Sequence, residues 1–216
     1  MVIAGRRFCS SLLSLVISFG LSCEQAVVLD SVLYFNDFET TDLDNITGGE
    51  VTKFNGSKVI GNFFRSGFTL ELDGIPDHDY LQITFDLLIH DSWDGNITGE
   101  YGPDLWFMHI DGQKVVYTSF ANGLCNSAYC PQQTYPENGW RFNNPGTGAT
   151  RKDLPAWCTH TQFSNNSTLY KIARTVGHTS SKADLRFFDE LTHPTNDKCD
   201  ESWSLDNLKI TLLRTN

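Results

Sequence analysis

Tyr80-Leu81-Gln82-Ile83-Thr84-Phe85-Asp86-Leu87-Leu88-Ile89 is the stretch that decides the fold class. Leu81, Ile83, Phe85, Leu87 and Ile89 recur with period two, so they share one face of an extended chain. Gln82, Thr84 and Asp86 share the other face, as in a strand with one side in a core. Working outward, residues 105–110 and 114–120 are strands joined through Asp111-Gly112, the favoured two-residue hairpin turn. Further strand candidates are 27–38, 58–64, 68–72, 168–176, 184–188 and 205–212, and none carries apolar residues at helical spacing. The expected fold is all-β: a two-sheet antiparallel β-sandwich (jelly roll) with a long disulfide-stapled loop. That loop is 121–167, rich in Asn, Gly, Pro and Thr and poor in periodicity; irregular stretches of this length are often functional.

Residues 1–22 read as a secretion signal, with Arg6-Arg7 as the positive start, an apolar run from Leu12 to about Leu21, and Gly20 and Ser22 before Cys23. The run is too short for a membrane span, which needs roughly 20 apolar residues. Residues 23–216 then form one β-sandwich domain, long enough for a single sizeable core. The net charge of −10 falls further once Arg6 and Arg7 leave, which excludes a nucleic-acid partner that would need clustered Lys and Arg.

Cys125, Cys130, Cys158 and Cys199 are an even set in an exported chain, so two disulfides are expected, in any of three connectivities. A zinc site near Cys158 and His160 lacks paired ligand spacing. Cys23 has two readings: the lipidated first residue of a bacterial cell-surface lipoprotein, or a residue discarded with a eukaryotic signal. Sequons at Asn45, Asn55, Asn96, Asn165 and Asn166 lean towards a secreted eukaryotic glycoprotein.

Row parity places acids where core residues should be. Asp206 shares parity with Leu208, Ile210 and Leu212, Asp37 and Glu39 share it with Leu33 and Phe35, and Asp91 continues the row from Leu81 to Ile89. A buried carboxylate without a partner is costly, and Ca²⁺ favours several oxygen ligands. Asp37, Glu39, Asp206 and Asn207 are therefore the candidate ligands of a structural Ca²⁺, provided the first and last strands are neighbours. A second acidic cluster, Asp91-Ser92-Trp93-Asp94-Gly95-Asn96 with Gly102-Pro103-Asp104, reads as a turn-rich connection.

Taken in order, Asp91-Ser92-Trp93-Asp94-Gly95-Asn96, Gly102-Pro103-Asp104-Leu105-Trp106, Gln133-Thr134-Tyr135-Pro136 and Asp200-Glu201-Ser202-Trp203-Ser204-Leu205-Asp206-Asn207 resemble a module of large extracellular proteins of bacteria and protists. Asn36-Asp37-Phe38-Glu39 and Leu205-Asp206-Asn207 are similar to the paired terminal strands of concanavalin-A-like and carbohydrate-binding-module jelly rolls. The resemblance implies a calcium held by Glu39 and Asp206. The four cysteines depart from that pattern.

No His-Glu-x-x-His, Gly-x-Ser-x-Gly or phosphate-binding glycine loop is present, so no catalytic residue is assigned. The leading expectation is a secreted, non-catalytic binding or adhesion module of protein-interaction or extracellular-matrix type. The alternative is a carbohydrate-binding, lectin-like module using Trp93, Tyr135, Trp140 and Trp157. A polysaccharide-active glycosidase or lyase is the second alternative.

Overall fold

In a computed structural model, the protein is described over residues 27–123, 125–126, 128–158, 167–194 and 197–215. The segment read as a signal, Cys23, and the sequons at Asn165 and Asn166 lie outside these residues. The described chain forms strands β1 (Val27–Asn36), β2 (Ile46–Thr47), β3 (Val51–Phe54), β4 (Ser57–Phe63), β5 (Gly67–Asp73), β6 (Tyr80–Asp91), β7 (Leu105–Ile110), β8 (Gln113–Ser119), β9 (Arg151–Leu154), β10 (Ser167–Gly177), β11 (Lys182–Glu190) and β12 (Glu201–Thr215).

They make two antiparallel sheets, the sandwich expected from the alternating rows. One sheet runs β3-β4-β12-β6-β10-β9, with β1 also paired to β12; the other runs β2-β5-β11-β7-β8. On β6, Leu81, Ile83, Phe85, Leu87 and Ile89 are all buried, as their alternation requires. They meet the second sheet through contacts such as Phe85 on Phe187, with ring centroids 5.5 Å apart. Trp106 and Trp203 cross between the sheets at 5.7 Å. Each buried apolar side chain contributes roughly 1.5–3 kcal/mol, so this core can carry several polar groups that oppose burial. Asp111 and Gly112 turn β7 into β8 with φ of 51° and 75°, the left-handed pair that a type I′ hairpin needs.

Two bulges correct the row parity of the terminal strands. β12 shifts register between Asp206 and Lys209, with Asn207 at φ 53°. Trp203 and Leu205 face the core before the shift, Leu208 and Ile210 after it. Asp206 therefore turns outward, directly opposite Asp86 on β6. β1 shifts between Val32 and Tyr34. Phe35 is left outside, 54% exposed, and Asp37 and Glu39 follow it into solvent.

The long connection after β8 is more ordered than its composition suggests. It contains β9, paired to β10. Gln133, fully buried, organises the rest: its amide nitrogen donates to the carbonyls of Tyr135 and Thr147 at 3.1 and 3.0 Å. Its side-chain oxygen accepts from the amide of Gly146 at 2.8 Å and the Tyr170 hydroxyl at 3.2 Å. Of the three open connectivities, the disulfides are Cys125–Cys130 and Cys158–Cys199. The second ties the far end of the connection to the turn before β12.

Candidate functional site

The residues expected to hold calcium on the terminal strands do come near one another, because β1 pairs with β12. One oxygen of each of their carboxylates, however, already has a protein partner. Glu39 Oε1 accepts from the Ser57 hydroxyl at 2.5 Å and the Lys58 amide at 3.0 Å, which lowers its pKa. Asp37 Oδ1 accepts from the Glu39 amide, and Asp206 Oδ1 from the Asn207 amide. Asn207 donates to Asp86, which also binds Lys171 at 2.9 Å. Asp86, Lys171 and Asn207 line a depression of about 450 Å³ on the outer face of the larger sheet. Burial first, then the charges of Asp86, Glu39 and Asp37, push Asp206 up to about 6.

Of the four aromatics expected to touch a ligand, Trp93 and Tyr135 belong to the core, and burial removes both from any stacking role. Trp93 donates its indole N–H to the Ser202 carbonyl at 2.8 Å, and Tyr135 packs against Phe120 and Tyr170. Trp157 lies flat on Phe54, ring centroids 5.4 Å apart, over a small second apolar cluster on the outer face of the larger sheet. Only Trp140 is free, 46% exposed. Three aromatics that the sequence did not single out are exposed too: Tyr101 (50%), Tyr129 (46%) and Phe142 (68%).

Each of these four rings lies on the β6–β7 connection or on a segment tied to it by hydrogen bonds. Asn96 donates its backbone amide to the carbonyl of Gln132 and its side-chain amide to the carbonyl of Arg141, between Trp140 and Phe142. Tyr129 donates its hydroxyl to Asp94. Tyr101 packs edge-on to His193 at 5.3 Å, and His193 pairs with Asp200 at 2.6 Å. Asn96 is itself buried and also holds the Ser119 and Thr134 hydroxyls. Asn45 and Asn55 are exposed.

Beneath the aromatic rim lies a floor of carboxylates. Asp91 ends β6, Asp104 precedes β7, Asp189 lies near the end of β11 and Glu201 opens β12; all four are buried. Asp91 and Glu201 are directly opposite each other. Asp91 was legible from its row. Asp104 and Glu201 follow the same rule, two residues before the core tryptophans Trp106 and Trp203, but the expected strands began after them.

The four differ in how they are satisfied. Asp189 accepts from the indole N–H of Trp203 at 2.7 Å and the Ser66 amide at 3.2 Å. Asp104 Oδ2 accepts from the Asp94 amide, while its Oδ1 has no hydrogen-bond partner. Neither carboxylate oxygen of Glu201 has one. Burial, reinforced by Asp104, Asp200 and Asp94, pushes Glu201 up to about 10; burial likewise pushes Asp91 up to about 7 and Asp189 to about 6. Arg65 is the cation whose charge reaches Glu201, but its guanidinium is committed to the carbonyls of Leu191 and His193. Among the described residues, no three His, Cys, Asp or Glu side chains as placed converge on a point that would hold a metal ion.

No family model and no curated protein matches the sequence. Among solved structures, the chain is similar to the native structure of a family 35 carbohydrate-binding module from Clostridium thermocellum, at 11% identity and a TM-score of 0.36. The similarity covers 76% of this chain and 88% of that one. The likeness is too distant to carry a ligand or a site residue across. No described helix is long and apolar enough to cross a membrane.

Proposed function

We propose that the protein is an extracellular, non-catalytic binding module that recognises a carbohydrate at the loop end of the sandwich. One observation carries this reading: Tyr101, Tyr129, Trp140 and Phe142 are each exposed, on the β6–β7 connection or on segments tied to it and fixed by Gln133, Asn96 and the Cys125–Cys130 disulfide. Rigid rings above polar groups suit the apolar faces and hydroxyl edges of a sugar, because little side-chain freedom is lost on binding. The disulfides favour an oxidising compartment, in keeping with export.

A protein-contact reading has its own observation. Val32 and Phe35 are 57% and 54% exposed on β1, which pairs with β12. A glycan array probed with the folded protein separates the two. Binding to a family of related glycans, lost on Trp140→Ala, is expected; silence across the array from protein with intact near-ultraviolet circular dichroism overturns the carbohydrate reading.

A further inference from the structure

We propose that the outer face of the smaller sheet carries a second binding surface: a basic row of Arg186, His109 and Lys114 that takes an anionic polysaccharide bearing carboxylate or sulfate groups. The surface is separate from Tyr101, Tyr129, Trp140 and Phe142 and does not depend on what they bind.

Strand register builds the row. Arg186 on β11 is opposite His109 on β7, and His109 is opposite Lys114 on β8. Neighbouring strands lie about 4.8 Å apart, so the three basic side chains stand in line across the sheet. Two residues along, Phe188, Phe107 and Tyr117 are matched in the same way and form an aromatic row beside the basic one. Phe107 stacks on Phe188 at 4.8 Å and on Tyr117 at 5.3 Å, and His109 meets Phe188 edge-on at 4.9 Å. The Arg186 guanidinium lies 4.3 Å from the centre of the Phe188 ring, and the Lys114 ammonium 4.7 Å from that of Tyr117. These cation–π contacts hold both charges in place and consume none of their N–H donors. Among the described residues, neither side chain makes a hydrogen bond or an ion pair. A charge fixed in advance with its donors free loses little side-chain freedom on meeting an anion. Burial, then the charges of Lys114 and Arg186, lower the pKa of His109, while Glu190 acts the other way. A positive field therefore prevails at the centre of the row, in a chain whose net charge is −10.

The surroundings select the partner. β11 is paired on both edges, to β5 and β7, and β7 is paired to β11 and β8. No backbone edge is open there to an added peptide strand, so recognition falls to side chains. Glu71 and Asp184, opposite each other and exposed, border the basic row on one side; exposed Glu190 lies beyond the aromatic row on the other. A broad anionic membrane would meet these acids, whereas a single linear chain laid across the strands passes between them. Along such a chain, carboxylates or sulfates meet Arg186 and Lys114, and the C–H faces of sugar rings lie against half-buried Phe188 and Tyr117.

The test is calorimetric titration of two probes into the full protein, sulfated dextran and oligogalacturonate, which present sulfate and carboxylate respectively. Unsulfated dextran, poly-L-glutamate and phosphatidylserine vesicles are the comparisons. Binding to at least one anionic glycan, weakening with added salt, is expected, with the three comparisons silent or weaker by about tenfold or more. Lys114→Gln/Arg186→Gln should lower the affinity about tenfold or more. Lys53→Gln/Arg151→Gln makes the same charge change on β3 and β9 of the other sheet and should bind as wild type, as should Trp140→Ala/Phe142→Ala. All six substituted side chains are exposed, and near-ultraviolet circular dichroism confirms that each variant is folded. Four results would each overturn the assignment: no binding of either anionic glycan by wild type, equal affinity for poly-L-glutamate or vesicles, affinity retained in Lys114→Gln/Arg186→Gln, or an equal loss in either control. Because the rim variant is one of those controls, failure at the rim and failure on this face are read separately.

Discussion

His90 makes the packing of the larger sheet's outer face measurable through pH. It is fully buried, wedged against Phe54 and Trp157 with ring centroids 4.6 and 4.9 Å away. Its ring nitrogens meet the hydroxyls of Ser167 and Ser204 at 2.8 and 2.9 Å. Burial lowers its pKa to about 3, whereas an unfolded chain titrates near 6.5. A base with a depressed folded pKa contributes stability that is present above 6.5 and lost as pH falls towards 3, because the unfolded chain takes the proton first. At pH 5 the gap below the unfolded pKa is about 1.5 units, and each unit is worth ~1.36 kcal/mol, giving a loss of about 2 kcal/mol relative to pH 7. Asp91 and Asp189, whose folded pKa values are raised to about 7 and about 6, work the other way: they add stability as pH falls. Total stability therefore mixes both signs, and the useful quantity is the difference between wild type and His90→Gln. Urea unfolding followed by tryptophan fluorescence at pH 7 and pH 5 gives it. The wild-type advantage should shrink by about 2 kcal/mol at pH 5; an advantage that does not change with pH refutes the buried neutral imidazole.

The two disulfides should contribute unequally. The Cys158–Cys199 bridge spans 41 residues and the Cys125–Cys130 bridge spans 5, so chain-entropy loss puts their removal by paired Ser substitution at ~4 and ~2 kcal/mol; urea midpoints check the order. At the β12 bulge, Asn207→Val should cost ~1–2 kcal/mol because a β-branched residue resists positive φ, and Asn207→Gly should not; paired thermal melts suffice. Mass spectrometry of protein from a eukaryotic secretory host should find glycan at Asn45 and Asn55 and none at Asn96, whose amide is consumed by the Arg141 carbonyl.

The sandwich itself was legible because β6 alternates without interruption and Asp111-Gly112 admits little besides a hairpin. The acidic face was legible only in part. Row parity holds while pairing is regular, and it located Asp91; it failed for Asp37, Glu39 and Asp206 because a bulge adds one residue to β1 and another to β12. Leu205 and Leu208, three apart, were the available sign of the second bulge. Glu201 and Asp104 were missed because two-residue spacing from Trp203 and Trp106 was not extended back across the polar motif. Gln133 stood out only as part of the Gln133-Thr134-Tyr135-Pro136 motif and its buried role did not, since that role is fixed by partners as distant as Tyr170. Tyr101, Tyr129 and Phe142 are exposed by loop geometry that composition does not encode.

Ligand recognition at the loop end is tested most directly by calorimetric titration of the best array glycan into three variants beside wild type. Trp140→Ala/Phe142→Ala removes half of the rim, Phe35→Ser removes the exposed ring of β1, and Lys171→Ala alters the depression on the larger sheet. The expected result is a loss of affinity of about tenfold or more for the rim variant, roughly 1.4 kcal/mol or above, with the other two unchanged. Retained affinity in the rim variant, with binding lost instead on Phe35→Ser or Lys171→Ala, contradicts it.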